Sequence, residues 1–451
     1  MGDIHRGSAI AISADVRAGR LRAVDICESA LAHIERLGCP QSGFVSLFRA
    51  RALLRAEAVD RIVEAGLDPG PLAGVPFGVA DHFDVVMQPT MAGSRIRAAG
   101  PFARQDAKAI RLLEAAGAVL VGRQNMDEIS YGFVTVNAHY GTTPNPHDAH
   151  RLAGGACGGS AAAVANETVP ISLASDINGS IRVPAALCGV IGLAPTYGDL
   201  PREGTQPLVD SLDVVGAFAR HLDDICLVRR VLREGAADRG PASRGPLRFG
   251  RLRGWFDRNM DDPMRVAMAR IWNEFGRVSV EVEHIAYARA AASLIIAAEG
   301  ANLHRATIIA NPEAFGSTTR ARLFAGLLMP ADDYLQAKRF QAWVHTRAGD
   351  MFKHCDLFIT PATPGFAPLI DDPFMDFEGA RTPARSHLGI YTQPISLMGL
   401  PSLALPLANS GPLPLGVQLI AAPGGESILL EAAQLLFEQG VLAVPKVADG
   451  S

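Results

Sequence analysis

The sequence has no apolar run that approaches the roughly 18 residues needed to span a bilayer, and it has little net charge. Its first residues lack the basic-then-apolar order of a secretory signal, so we expect a soluble, cytoplasmic protein. A formal net charge of −4 over 451 residues creates no broad field that would attract nucleic acid or an anionic membrane. We therefore expect small molecules or proteins as partners, with no nucleic acid and no membrane.

Cysteine is scarce as well. The six cysteines lie far apart, with no C-x-x-C pair and no histidine pair at metal-ligand spacing. We interpret most of them as reduced core residues, and we predict neither a metal nor another cofactor. Glycine (45) and proline (30) are scattered along the chain, which predicts many tight connections and no long disordered linker.

Helical and strand patterns alternate, which is typical of the α/β class. Residues 23–38 place apolar side chains on one helical face before Gly38, and residues 106–117 repeat this pattern before the short apolar strand AVLVG. Four more short apolar runs, bounded by Gly, Pro or polar residues, predict buried strands: VPISLAS, DLFITPA, SLALPLA and GVQLIAA. The segment SILLEAAQLLFEQG predicts a helix close to the C-terminus.

The chain is predicted to form a single domain over residues 1–451. Its parts are N-terminal helices (1–65), a core with glycine-rich loops (66–232) and a more variable half with C-terminal strands and a helix (247–451). Charge, glycine and proline concentrate in REGAADRGPASRGP, residues 233–246. This segment is the best candidate for an exposed connection.

Three stretches carry a specific resemblance: PLAGVPFGVADHFDV (71–85), RLAGGACGGSAAAVA (151–165) and SDINGSIRVPAALCGVIGLAPTYG (175–198). With them the sequence resembles the amidase-signature family of serine hydrolases over nearly its whole length. Other stretches, among them NMDEISYGFVTVNAHYG, EGANLH, YLQAKRFQAW and YTQPISLMGLP, are most similar to carboxybiuret hydrolase large subunits, a branch near the amidotransferase that makes glutaminyl-tRNA. The resemblance implies one α/β domain, with a large mixed β-sheet between α-helices and the glycine loops at one sheet edge.

The resemblance also implies a triad of nucleophilic serine, a serine after a cis peptide bond, and a lysine. A serine hydroxyl is a weak nucleophile until a base removes its proton, and lysine serves as that base only when its pKa is lowered. The nucleophile falls on Ser180. The oxyanion hole, whose N–H groups face the developing negative charge, falls on Ile177, Asn178 and Gly179.

The other two triad positions are occupied by alanine. The lysine position falls on Ala80, within GVADH, and the cis-serine position falls on Ala156. Neither methyl group can carry a proton. Three neighbouring residues are hypotheses for a substitute base, each with a structural alternative: His82, whose ring can also point away; Asp81, which can anchor a turn; and Cys157, which can fill the space of a serine.

Substrate contacts follow from the same resemblance. Met126, Asp127 and Tyr131 match a segment that lines the acyl side of the pocket in relatives, although they can also be ordinary helix residues. Asp176 and Arg182 are expected to support the nucleophile loop by hydrogen bonding, and Arg182 can additionally pair with an anionic substrate. A phosphate site at GGACGG is not favoured, because no P-loop lysine follows.

The leading hypothesis is an amidase-family protein that binds a small amide or ureido compound, with C–N hydrolysis through Ser180 weakened or carried by an unrecognised base. The first alternative is a catalytically silent scaffold or regulatory subunit, which would hold a small accessory subunit. The second alternative is an active-site mutant of an active amidase that had lysine and serine where Ala80 and Ala156 stand. We also expect a homo-oligomer.

Overall fold

The computed structural model describes residues 4–236 and 245–447. Of the predicted connection at 233–246, residues 237–244 therefore lie outside the described residues. The helices are α1 (Ala9–Arg17), α2 (Ala23–Leu37), α3 (Arg49–Glu64), α4 (Lys108–Ala115), α5 (Gly158–Ala165), α6 (Arg182–Cys188), α7 (Leu222–Leu232), α8 (Asp262–Glu274), α9 (Ala286–Ala310), α10 (Ser317–Leu327), α11 (Ala331–Met351), α12 (Ala384–His387), α13 (Thr392–Leu397) and α14 (Glu426–Glu438).

The strands are β1 (Phe44–Leu47), β2 (Pro76–Ala80), β3 (Val119–Gln124), β4 (Val136–Asn137), β5 (Gly141–Thr142), β6 (Pro144–Asn145), β7 (Asp148–Leu152), β8 (Ile171–Asp176), β9 (Ile191–Ala194), β10 (Val214–Ala219), β11 (Phe249–Leu252), β12 (Val278–Val280), β13 (Leu357–Pro361), β14 (Phe374–Phe377), β15 (Ala380–Pro383), β16 (Ser402–Pro406) and β17 (Gly416–Ala421).

One 11-stranded sheet runs through the whole chain, in the order β1-β3-β2-β8-β10-β9-β16-β17-β13-β11-β12. Strands β3, β2 and β8 are parallel to one another, and so are β13, β11 and β12. The strands between these two groups pair antiparallel. Because strands from both sides of residues 233–246 share this sheet, the fold is a single α/β domain with a mixed sheet flanked by helices, as predicted.

The predicted helices and strands are confirmed where the sequence pattern is strongest. Helix α2 ends at Gly38, whose φ of 72° is a conformation that glycine adopts without a steric penalty. The four short apolar runs form β8, β13, β16 and β17, and every residue of these strands is buried. This burial on both faces is why they read as continuous apolar runs.

Among the described residues, the two larger of three apolar cores cover the sheet. The larger core joins the N-terminal helices, α5, α7 and α14 to the strands. The second core joins α9, α10, α11 and α13 to residues that include Ile177, Phe358 and Tyr391. Among the described residues, no helix is long and apolar enough to cross a bilayer.

Candidate functional site

The three stretches that carry the family resemblance meet at one edge of the sheet. Strand β2 ends at Ala80 and its parallel neighbour β8 ends at Asp176, so the chain leaves both strands at the same edge. The glycine-rich loop of residues 153–157 leads into α5 at Gly158. The backbone N–H of Cys157 donates to the carbonyl oxygen of Ser180 at 3.2 Å, which ties this loop to the nucleophile loop.

Ser180, the predicted nucleophile, lines a cavity of about 190 Å³. Its side chain is 3% exposed, and its hydroxyl makes no hydrogen bond to any described residue. Ile177 and Asn178 line the same cavity. The hydroxyl is therefore oriented by no base in the described part of the chain.

The loop that carries Ser180 is held by one carboxylate. Asp176 Oδ1 accepts the N–H of Gly179 at 2.6 Å, and Oδ2 accepts the N–H of Ile181 at 3.0 Å. The Gly179 amide is thus already engaged, whereas the oxyanion roles of Ile177 and Asn178 stay predictions. Glycine is needed at 179, because its φ is 128° and a Cβ there would fall on the Thr392 hydroxyl.

Both alanines of the predicted triad are fully buried. The peptide bond between Gly155 and Ala156 is cis, as the resemblance implies for the serine position. The carbonyl oxygen of Ala156 accepts the Asp127 N–H at 2.9 Å and the Thr135 hydroxyl at 3.1 Å. The loop backbone is therefore anchored, although its side chain can carry no proton.

No lysine from elsewhere in the chain takes the missing position. The sequence has lysine at four positions: Lys108, Lys338, Lys353 and Lys446. The first three pair with Glu234, Glu299 and Asp350, and Lys446 is exposed. None of the four lines the Ser180 cavity.

The most distinctive feature of the Ser180 cavity is three arginines, Arg289, Arg322 and Arg385. Arg385 lies 3.5 Å from the buried carboxylate of Asp127. Arg322 donates to the carbonyl oxygen of Tyr131 at 2.8 Å, and Arg289 donates to the carbonyl oxygen of Ser386 at 2.8 Å. Burial lowers the pKa of both Arg289 and Arg322.

Two of these guanidinium groups thus lack a carboxylate partner. Within residues 4–236 and 245–447, no Asp or Glu oxygen lies within 4 Å of a side-chain nitrogen of Arg289 or Arg322. Both remain charged, because arginine keeps its proton even when burial opposes it. None of the three arginines is recognisable as a site residue from the sequence, because they come from the variable half and no local pattern distinguishes them from surface arginines.

Comparison with known proteins agrees with the fold described above. The family model named Amidase matches residues 25–430. The chain belongs to the amidase family. Members of this family are hydrolases that act on C–N bonds, and the predicted resemblance is confirmed.

Individual relatives match over nearly the whole chain. AtzE of Pseudomonas sp. (strain ADP), which is one of the subunits of 1-carboxybiuret hydrolase, is 41% identical over 445 residues, covering 94% of this chain and 97% of AtzE. A glutamyl-tRNA(Gln) amidotransferase subunit of Chloroflexus aggregans (strain MD-66 / DSM 9485) is 34% identical over 474 residues, covering 95% of this chain and 96% of its own length.

Solved structures of similar proteins share the fold over nearly the whole chain. One, described as a vestigial protein complex that reveals the origins of an s-triazine catabolic enzyme, has a TM-score of 0.92 at 39% identity and covers 97% of this chain and 100% of its own. A crystal structure of an amidase has a TM-score of 0.89 at 28% identity, with coverage of 96% and 100%.

Within this amidase fold, His82 lies apart from the cavity. Its ring is fully buried against Phe83, with 4.7 Å between ring centroids, and both ring nitrogens lack a hydrogen-bond partner among the described residues. Burial lowers the pKa of His82 to about 3. The ring does not line the Ser180 cavity, so the structure gives it no contact with the predicted nucleophile.

The other two hypothetical bases have structural contacts of their own. Asp81 Oδ2 accepts the N–H of Gly93 at 2.9 Å, and burial raises the pKa of Asp81 to about 6 while Arg123 opposes the shift. Cys157 Sγ donates to the carbonyl oxygen of Ser175 at 3.6 Å. Burial raises the pKa of the Cys157 thiol above its ordinary range, so it keeps its proton at neutral pH.

Arg182 requires a correction. Its Nε and Nη2 donate to Asp176, its Nη1 donates to the carbonyl oxygen of Thr392 and to Gln418, and its Nη2 also donates to Ser396. All five N–H donors of the guanidinium are used. Arg182 therefore supports the loop, and the prediction that it pairs with an anionic substrate is wrong in this structure.

The three residues predicted to line the acyl side of the pocket lie at different positions relative to the Ser180 cavity. Tyr131 lines the cavity. Met126 is fully buried in the larger core and does not line the Ser180 cavity. Asp127 does not line the cavity but contacts residues of its wall. Its Oδ2 accepts the N–H groups of Val134 and Thr135, both at 3.0 Å, and its carboxylate faces Arg385.

Proposed function

We propose that this chain binds a small amide or ureido compound that carries a carboxylate, and that C–N hydrolysis through Ser180 is strongly weakened. The single observation that carries this proposal is the content of the Ser180 cavity. Among the described residues, it is lined by four serines, of which Ser180 is one, by three guanidinium groups, and by no lysine, histidine, aspartate, glutamate or cysteine. Such a lining favours binding of an anion over activation of a nucleophile.

The charge of the cavity supports an anionic ligand. One of the three guanidinium groups faces Asp127, and the other two hydrogen-bond to neutral groups of the cavity wall. A carboxylate would fit these planar donors, because guanidinium–carboxylate pairs are charge-assisted and can be bidentate. The relative AtzE, by its name, acts on 1-carboxybiuret, a ureido compound with a carboxyl group.

The weakened hydrolysis follows from the missing base. Among residues 4–236 and 245–447, no lysine, histidine, aspartate, glutamate or cysteine lines the cavity, and burial raises the pKa of Tyr131, which keeps its hydroxyl protonated. Loss of general-base assistance typically costs about 10²–10⁴ in rate. An oxyanion hole and substrate binding alone can retain roughly 10³–10⁴ over the reaction in water.

A second candidate is a silent component of a larger assembly. Two relatives are named as subunits, and one similar solved structure is described as a vestigial protein complex. In this candidate the chain associates with itself or with a small accessory subunit, and its cavity has no ligand. Absence of binding to any amide or ureido compound would favour it.

The experiment is isothermal titration calorimetry with N-carbamoylglycine, which has a ureido group and a carboxylate, and with its uncharged amide as the matched control. We expect the carboxylate to bind at least about 10-fold more tightly, the effect of one charge-assisted contact. Ammonia release is measured in the same samples and in Ser180→Ala. Equal affinity for both compounds would contradict the anionic ligand, and Ser180-dependent turnover at about 1–10³ s⁻¹ would contradict weakened hydrolysis.

A further inference from the structure

A second cavity lies beside the nucleophile loop and shares no lining residue with the Ser180 cavity. We call it the Arg182 cavity. Its volume is about 500 Å³, and the residues that define it here are Asp176, Arg182, Ala194, Gln341, Gly349 and Leu400. A cavity of this size is within the range that binds small molecules.

The two charged residues in the wall of the Arg182 cavity are not available to a ligand. All five donors of Arg182 are used, as described above. Asp176 accepts five N–H groups: those of Gly179, Ile181 and the Arg182 backbone, together with two from the guanidinium of Arg182. The pair is neutral overall and saturated, so this cavity has no free charge to attract an ion.

One polar side chain of the cavity wall has no hydrogen-bond partner among the described residues. Gln341 on α11 is 6% exposed as a whole residue, and its amide is not enclosed by protein atoms but is open to the cavity that it lines. Other polar groups of the wall are engaged: His345 Nε2 is 2.7 Å from the carbonyl oxygen of Leu397, and the Thr346 hydroxyl donates to the carbonyl oxygen of Trp343 at 2.8 Å. The Gln341 amide offers both donors and an acceptor.

The remaining wall is largely apolar, with Ala194, Leu212, Val214, Met398 and Leu400 among its residues. We propose that the Arg182 cavity is a binding site for an uncharged, mostly apolar compound that bears one carboxamide group, which pairs with Gln341. A carboxamide has the complementary donor and acceptor, so it can pair with both the N–H and the carbonyl oxygen of the Gln341 amide while its apolar part contacts the rest of the wall. This site is distinct from the one proposed for the anionic amide or ureido compound.

The test uses the full chain and 2-naphthamide as the probe, followed by ligand-detected NMR and calorimetry. We expect saturable binding, about 10-fold weaker in Gln341→Leu and unchanged in Gln336→Leu, which changes an exposed glutamine of the same helix. Gly349→Phe should also weaken binding, because Gly349 is an exposed residue that lines the cavity, and a ring at this position has room to obstruct the opening of the cavity. The charged analogue 2-naphthoate should bind at least about 10-fold more weakly.

Three results would overturn the proposal: no saturable binding to the unaltered chain, binding that survives both Gln341→Leu and Gly349→Phe, or affinity for 2-naphthoate that equals or exceeds that for 2-naphthamide. Displacement by N-carbamoylglycine would also overturn it, since the probe would then occupy the Ser180 cavity. Melting temperatures of the variants distinguish a filled cavity from a chain that fails to fold. If Gly349→Phe does not fold, Gln341→Leu and the competition experiment still test whether the probe binds in the Arg182 cavity.

Discussion

Arg182 and Asp176 form a fully buried, bidentate ion pair, with 3.1 Å from Nε to Oδ2 and 2.9 Å from Nη2 to Oδ1. The same carboxylate accepts the backbone N–H groups of Gly179 and Ile181. This pair therefore fixes the loop that presents Ser180. It also explains why an arginine next to the predicted nucleophile is unavailable for substrate.

Arg182→Met should destabilise the protein strongly, because it leaves the Asp176 carboxylate buried without its counter-ion. We expect a loss of about 3–5 kcal/mol in the free energy of unfolding, measured by urea denaturation. The matched control is Arg17→Met, which removes a bidentate pair with Asp68 that is exposed to solvent. Its loss should stay within about 1 kcal/mol. Equal losses in the two variants would contradict the role assigned to the buried pair.

Arg322→Met should weaken binding of N-carbamoylglycine about 10- to 100-fold, because a charge-assisted hydrogen bond inside a buried cavity is lost. Binding of its uncharged amide should change little. The control is Arg305→Met, which removes a positive charge from an exposed position on α9. Calorimetry on both variants separates the loss of a direct contact from the loss of a distant positive charge. A loss of affinity of similar size in Arg305→Met would show that long-range charge, and not a contact, is responsible.

We predict that the buried His82 makes the free energy of unfolding sensitive to acid. Its pKa in the folded chain is about 3, below its ordinary value near 6.5, so between these values the unfolded chain binds the extra proton. Stability should therefore fall as pH falls below about 6.5. From pH 6.5 to 4.5, His82 should account for about 2 kcal/mol of the loss.

His82→Leu removes this titration and should lose that much less stability over the same pH interval, as measured by urea denaturation. The opposite dependence from Asp81, whose pKa burial raises to about 6, is present in both proteins and cancels in the difference. His354→Leu, at an exposed position, is the control and should follow the unaltered chain. An unchanged acid dependence in His82→Leu would show that the ring does not stay neutral when buried.

Local patterns in the sequence were sufficient to predict the α/β fold class, whereas the nucleophile role of Ser180 came from the family resemblance and stays a prediction. Short apolar runs predicted β8 and β17 because strands buried on both faces need apolar side chains throughout, and Gly38 predicted the end of α2. The arginine cluster could not be predicted. Arg289, Arg322 and Arg385 come from separate helices, and only the packing of α9, α10 and α12 brings them to one wall.

The wrong prediction at Arg182 has a different cause. A pattern shows that an arginine follows Ser180, but hydrogen-bond saturation depends on Thr392, Ser396 and Gln418, which are more than 200 positions away. Burial of Cys157 and of His82 likewise depends on residues that are distant in the sequence. Both are chemically plausible bases in sequence, and their surroundings, which only the fold determines, keep one protonated and the other away from the cavity.

The most direct test of the account is ammonia release from N-carbamoylglycine and related amides by Ala80→Lys combined with Ala156→Ser. The unaltered chain should release ammonia slowly or not at all. The double variant should exceed it by about 10²–10⁴, and adding Ser180→Ala should remove the gain. Rapid, Ser180-dependent release by the unaltered chain would contradict the claim that its proton relay is missing, and no gain in a folded double variant would contradict the claim that the rest of the site is intact.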